Sequence, residues 1–93
     1  MYIDKQKQFD SFLKEIKNVD AVAIDTEFIR EKTYWAKLCL LQMAVKDKVA
    51  IIDPFSVDVS SLSSIFQSKD IVKVFHAPRQ DIEILQHVTN SFP

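Results

Sequence analysis

The run AVAIDTEFIR, Ala21 to Arg30, closes an apolar stretch with two acids two residues apart, Asp25 and Glu27. Side chains alternate across a strand, so both carboxylates point to one face, roughly 7 Å apart at the usual rise per residue. Val22 and Ile24 point the other way, so the strand can be buried on one face and acidic at its end on the other. Two carboxylates so placed can converge on one hard divalent cation, for which carboxylate oxygen is the preferred donor. They can equally do no more than solvate the end of the strand, and spacing alone does not choose.

A second group lies in KVFHAPRQDIEIL, residues 73–85, where a β-rich run gives way to a helix start carrying His76, Gln80 and Asp81. Ligands of open α/β sheets sit beyond the carboxyl ends of the strands. If the strand ending at Phe75 lies beside the one ending at Glu27, Asp81 can turn toward the same crevice from the first turn of its helix. The plainer role for Asp81 is a helix N-terminal charge, favoured by the helix dipole by about half a kcal/mol. Between the two groups, Arg30, Lys32 and Lys37 accompany Tyr34 and Trp35. Basic residues interleaved with aromatics suit a phosphate chain. A solvated loop whose Trp packs back on the core has the same composition.

These groups need a scaffold, and the hydrophobic spacing outlines one. Phe9, Phe12, Leu13 and Ile16 form the stripe of a helix expected over residues 4–17, with Asp4 as its cap. Residues 18–20 break it, and a strand follows over 21–27. Residues 38–45 and 49–52, joined by a tight turn at Lys46-Asp47-Lys48, read as a hairpin that Asp53-Pro54 ends. Leu62, Ile65 and Phe66 mark a short connector helix in a Ser-rich stretch, capped by Ser60 or Ser61. Residues 71–75 form a further strand. Pro78 opens the last helix, with Ile82, Leu85 and Val88 as its apolar positions and Thr89 or Asn90 as its end. The order helix, three strands, helix, strand, helix predicts an α/β layer protein with a mixed sheet. Cys39, Met43, Phe9, Phe12 and Phe66 are expected in the core, Asp53 in a turn with Pro54, and His87 on a helix surface.

Composition narrows the function. With 12 Lys and Arg against 13 Asp and Glu, a net charge of -1 and a pI near 6.1, the chain lacks the basic balance of a protein that coats nucleic acid. Any nucleic-acid contact must be local. Gly is absent altogether, which excludes the P-loop and the Rossmann fingerprint, both of which need Gly where backbone approaches phosphate. The single cysteine, Cys39, allows no disulfide within the chain. The charged N-terminal MYIDKQKQFD lacks the apolar segment of a signal peptide, so a cytoplasmic, soluble protein with no membrane partner is expected. At 93 residues, one domain is the ceiling.

AIDTEFIREKTYWAKLCLLQMA, then IIDPF, then KVFHAPRQDIEIL together resemble the N-terminal part of the 3'-5' exonuclease domain of ribonuclease D, within the larger four-acid exonuclease superfamily. The specific features are Asp-Thr-Glu-Phe closing the first strand, the Arg and Thr-Tyr after it, the Leu-Gln hairpin strand, Asp-Pro, and His-Ala with an Asp five positions after the His. The resemblance implies an RNase H-like fold, with three mainly antiparallel strands, a further strand and flanking helices. It also implies hydrolysis of phosphodiesters at a 3' end with two divalent ions, Mg²⁺ or Mn²⁺. By motif matching, Asp25 and Glu27 are the first pair of ligands and Asp81 the third carboxylate, reaching its ion directly or through water. Phe28 matches the residue that packs against the terminal base, and Thr26, His76 and Gln80 fall at the same substrate pocket. Single-stranded nucleic acid is the implied partner, RNA ahead of DNA and tRNA-like precursors included.

One family motif has no counterpart. No Tyr or His followed four positions later by Asp occurs after Asp81, so the fourth acid is missing along with the final strand and helix that the resemblance implies. Residues 1–93 are expected to form a single, incomplete exonuclease domain, weakly active or inactive alone, with a second ion bound weakly or not at all. Strand 71–75 would then be an apolar sheet edge open to self-association. The alternatives to an enzyme domain are a catalytically dead nucleic-acid-binding remnant and one half of a split nuclease.

Overall fold

The computed structural model describes residues 1–30, 36–75 and 78–89. Within them run β1 (Tyr2–Ile3), α1 (Gln6–Ile16), β2 (Ala21–Arg30), β3 (Ala36–Val45), β4 (Lys48–Ile52), a 3-10 turn (Ser60–Leu62), α2 (Ser63–Phe66), β5 (Val72–Phe75) and α3 (Pro78–Thr89). The strands form one sheet in the order β1-β4-β3-β2-β5. β3 is antiparallel to both β2 and β4, whereas β1 and β5 join the sheet in parallel, β1 beside β4 and β5 beside β2. This is the mixed α/β sheet expected, with one strand more than the sequence indicated.

That extra strand, β1, is two residues long and has no periodicity to betray it. It exists because β4 supplies partners: Ile51 N–H donates to the Met1 carbonyl and Asp53 N–H to the Ile3 carbonyl, each at 2.9 Å. Its pairing moves the start of α1 from the expected residue 4 to Gln6. Asp4 is therefore not the cap. Lys5 occupies that position with no side-chain bond, and Asp4 N–H instead donates to Gln8 Oε1 at 3.4 Å. Nor do Ser60 and Ser61 cap the connector helix; Asp58 does the equivalent work, its Oδ1 accepting from Ser60 N–H at 3.0 Å.

Alternation along each strand sorts the sheet into two unlike faces. Val22, Ile24 and Thr26 of β2, Leu41 and Met43 of β3, and Ala50 and Ile52 of β4 are buried on one side. Against this side pack the stripe of α1 (Phe9, Phe12, Leu13, Ile16), Leu62, Ile65 and Phe66 from the connector, and Ile84 and Leu85 of α3, in one continuous core. Burial of a side chain such as Phe9, at 0% exposure, contributes about 2 to 3 kcal/mol from area alone. The other face carries Ala21, Ala23, Gln42, Val49, Val72 and Val74, all exposed, with Val72 at 63% and Val74 at 53%. Among the described residues the helices thus cover one side of the sheet, and β5 is an edge strand as the sequence led one to expect.

Met43, Phe9, Phe12 and Phe66 occupy the core as expected. Cys39 does not: it is half-buried, and its thiol donates to the Lys37 carbonyl at 3.4 Å. Asp53 holds its turn, accepting from Phe55 N–H and Ser56 Oγ, each at 2.9 Å. His87 is exposed on α3.

Candidate active site

β2 carries Asp25 and Glu27 on the open face of the sheet, opposite Val22, Ile24 and Thr26. The arrangement follows from alternation: apolar residues drive one side into the core, and the intervening positions must then face outward. Asp25 pairs across to Gln42 and Glu27 to Leu40, and the β2–β3 register shifts between Glu27 and Phe28. The residue skipped by the shift is Cys39 of β3, and such irregularities are common beside functional groups. Asp25 is half-buried and Glu27 exposed.

Asp25 stands at the head of a shallow groove of about 340 Å³ between β3, β2 and β5, lined also by Ala23, Gln42, Ala44 and Val74. A second hollow of about 570 Å³ continues it along Ala21, Ala23 and Ala44 toward Lys46 and Asp47. Alanines make this trough, because their side chains leave the sheet backbone nearly bare. Gln42 is a residue that sequence reasoning left without a role. Only the hairpin register, which places it directly across from Asp25, identifies it as part of the groove.

β5 does lie beside β2, as the crevice argument required, with pairing from Ala21↔Val72 to Ile24↔Phe75. α3 then brings Asp81 to Thr26 in the middle of β2, but from the covered side. Asp81 is 1% exposed, and Thr26 Oγ1 donates to its Oδ1 at 2.5 Å. It is therefore not the solvated helix-terminus charge that its position in the sequence also allowed. Asp81, Leu85 and Thr89 are all buried, a stripe at intervals of four along α3. The sequence had put Ile82 and Val88 on that stripe, and both are only half-buried.

Asp25 and Glu27 thus come together, while Asp81 sits behind the strand that bears them. Among the described residues, no three His, Cys, Asp or Glu side chains gather as a single cation site. Thr26, placed by motif at the substrate pocket, turns its side chain into the core at 7% exposure. Phe28 is half-buried and packs against the core, and Gln80 is exposed at the start of α3. His76 lies outside the described residues, as do Lys32, Tyr34 and Trp35. Of the basic patch, Lys37 is exposed with its ammonium 5.0 Å from the centre of the Phe55 ring.

The chain matches known proteins in sequence and in fold. The family model described as 3'-5' exonuclease matches residues 1–93. Ribonuclease D of Bartonella henselae is 48% identical over 83 residues, which are 87% of this chain and 20% of that protein. The crystal structure of Escherichia coli RNase D, an exoribonuclease involved in structured RNA processing, superposes with a TM-score of 0.92 at 32% identity, covering 100% of this chain and 25% of that one. Brucella melitensis NrnC with bound Mg²⁺ gives a TM-score of 0.67 at 29% identity, over 82% of this chain and 39% of that one. The chain therefore spans about a fifth to two-fifths of the length of these proteins.

Proposed function

Because the chain belongs to the 3'-5' exonuclease family, we propose that it supplies the first cation ligands of a ribonuclease D-like domain that hydrolyses phosphodiesters at RNA 3' ends and releases nucleoside monophosphates. The observation that carries this reading is the placement of Asp25 and Glu27 on the open face of β2, just beyond the end of its pairing with β5, with Asp25 lining a groove. The exoribonuclease activity of the E. coli relative favours RNA over DNA as substrate.

The donor set fits a hard divalent ion. Both groups offer carboxylate oxygen, and among the described residues neither carboxylate makes a hydrogen bond or ion pair. Two carboxylates on one face hold like charges near each other, which a bound cation would offset. Mg²⁺, the ion held by the Brucella relative, is the first candidate and Mn²⁺ the second. When bound, such ions supply charge that stabilises the attacking and leaving oxygens of the displacement. Asp25 and Glu27 would hold the ion. Asp81 would act as the third carboxylate, directly or through water, and its place behind β2 makes the second ion site the weaker one. Phe28, His76 and Gln80 are assigned to the terminal nucleotide, with Phe28 offering a face that tolerates any base. Cytoplasmic location follows from this role, and no helix of the described residues is long and apolar enough to cross a membrane.

Val72 and Val74 favour a second reading alongside, in which the open sheet face and the β5 edge are completed by further polypeptide or by a second copy of the chain. A catalytically dead remnant that keeps the nucleic-acid groove is the corresponding non-enzyme reading. Digestion of labelled single-stranded RNA and its DNA counterpart with Mg²⁺ or Mn²⁺, beside Asp25→Ala and Asp81→Ala, tests the assignment. Mononucleotide release that both substitutions abolish supports it, and release that survives Asp25→Ala overturns it. Silence from folded protein that still binds the RNA supports the remnant.

A further inference from the structure

We infer that Thr26 is a positioning residue for the acid pair, acting through its hydrogen bond to Asp81; this rests on the reading of Asp25 and Glu27 as cation ligands. Thr26 Oγ1 donates to Asp81 Oδ1 at 2.5 Å, joining residues 55 apart in the chain, with exposures of 7% and 1%. Hydroxyl-to-carboxylate bonds are among the stronger ones, and burial of this depth removes the water that would compete for them.

The place of the bond matters more than its strength. Thr26 stands between Asp25 and Glu27 and faces the opposite way. On one side of β2, pairing with β5 stops at Ile24↔Phe75, one residue before the acids. On the other, the ladder with β3 shifts register directly after Glu27. The backbone that carries the two carboxylates is therefore paired with β3 alone, and that regular register ends directly after Glu27. The Thr26–Asp81 bond ties it to the first turn of α3 at that point. Fixing Thr26 fixes the peptide planes on either side of it, and with them the separation and direction of the flanking carboxylates, to which a cation site is sensitive at the level of fractions of an ångström.

Mn²⁺ binding to the 93-residue chain, followed by the electron paramagnetic resonance signal of the free ion, tests this without any appeal to activity. Thr26→Val keeps the shape and loses the donor; Thr26→Ser keeps the donor and loses a methyl. The expected result is binding by Thr26→Ser within about twofold of wild type and by Thr26→Val about tenfold weaker, equivalent to about 1.4 kcal/mol. Equal binding by Thr26→Val, or a Thr26→Ser as weak as Thr26→Val, overturns the inference. An Asp25→Ala control separates the two levels. Wild-type binding that Asp25→Ala abolishes upholds the cation site and leaves Thr26 to be judged on its own variants, whereas a silent wild type brings down both. Should Thr26→Val fail to fold, Mg²⁺ addition to the wild type decides instead. Amide resonances of Thr26 and Asp81 must shift together with those of Asp25 and Glu27, and an unmoved Asp81 overturns the inference.

Discussion

Replacing Asp25 by Asn is expected to make the cation-free protein more stable and the cation-loaded protein less so. Asp25 and Glu27 share one face of β2 at a separation of roughly 7 Å. Two unit charges at that distance repel by about 0.6 kcal/mol in bulk water and by about 2.4 kcal/mol at an effective dielectric of about 20. Glu27 is exposed and Asp25 half-buried, so a value of about 1 kcal/mol is expected at low salt, less as salt rises. For a domain of this size that corresponds to a rise in melting temperature of roughly 4 to 8 °C in the presence of a chelator. With a divalent ion at a hundred times its dissociation constant, the wild type should gain about 2.7 kcal/mol, and Asp25→Asn should gain little of it. Thermal melts followed by circular dichroism, with chelator and then with Mn²⁺, give both numbers. An Asp25→Asn protein that melts at or below wild type in chelator would refute the stored repulsion. An undiminished Mn²⁺ shift in the variant would refute the ligand assignment.

On the open sheet face, Val74→Lys places a charge on the exposed edge strand and should reduce self-association, seen in sedimentation velocity at tens of micromolar; a wild type that is already a clean monomer counts against the exposed-edge argument. Gln6 clamps the backbone of Asp58, donating from Nε2 to its carbonyl at 3.2 Å and accepting from its N–H at 2.8 Å. Losing both bonds in Gln6→Ala should cost about 1 to 2 kcal/mol by urea titration, and a change below about 0.3 kcal/mol would mean that water replaces the amide freely. The backbone N–H and then the hydroxyl of Ser60 hold the Asp58 carboxyl below its ordinary value of 3.8. A depressed carboxyl contributes stability above its unfolded value and loses it as pH falls through the folded one. Asp58→Asn should therefore lower stability near neutrality and flatten the profile on the acid side, the variant and the wild type converging as pH falls below about 4. Parallel wild-type and variant profiles through that range would show that the bond has no net effect.

The hairpin of β3 and β4, the β5–α3 unit and the acid pair on one face of β2 were all legible from local patterning, because periods of two and of about four residues are imposed by backbone geometry on any sequence that buries one side. The resemblance to ribonuclease D rested on short motifs, and relatives of that name match the chain in sequence and in fold. β1 was not legible, since two residues carry no period and their strand character comes from β4. Asp81 was legible as a helix-start acid but not as a buried one. The apolar residues of α3 point to Ile82, Leu85 and Val88, while the buried stripe runs through Asp81, Leu85 and Thr89. A polar side chain can sit on the covered face when a partner waits there, and the partner of Asp81 is Thr26, far away in sequence. The sequence by itself determined which strand bears the acids and which way they point. Only the tertiary structure decided that Asp81 stands behind that strand, because the side from which a helix reaches a sheet depends on where the core forms, and the core is a property of the assembled elements.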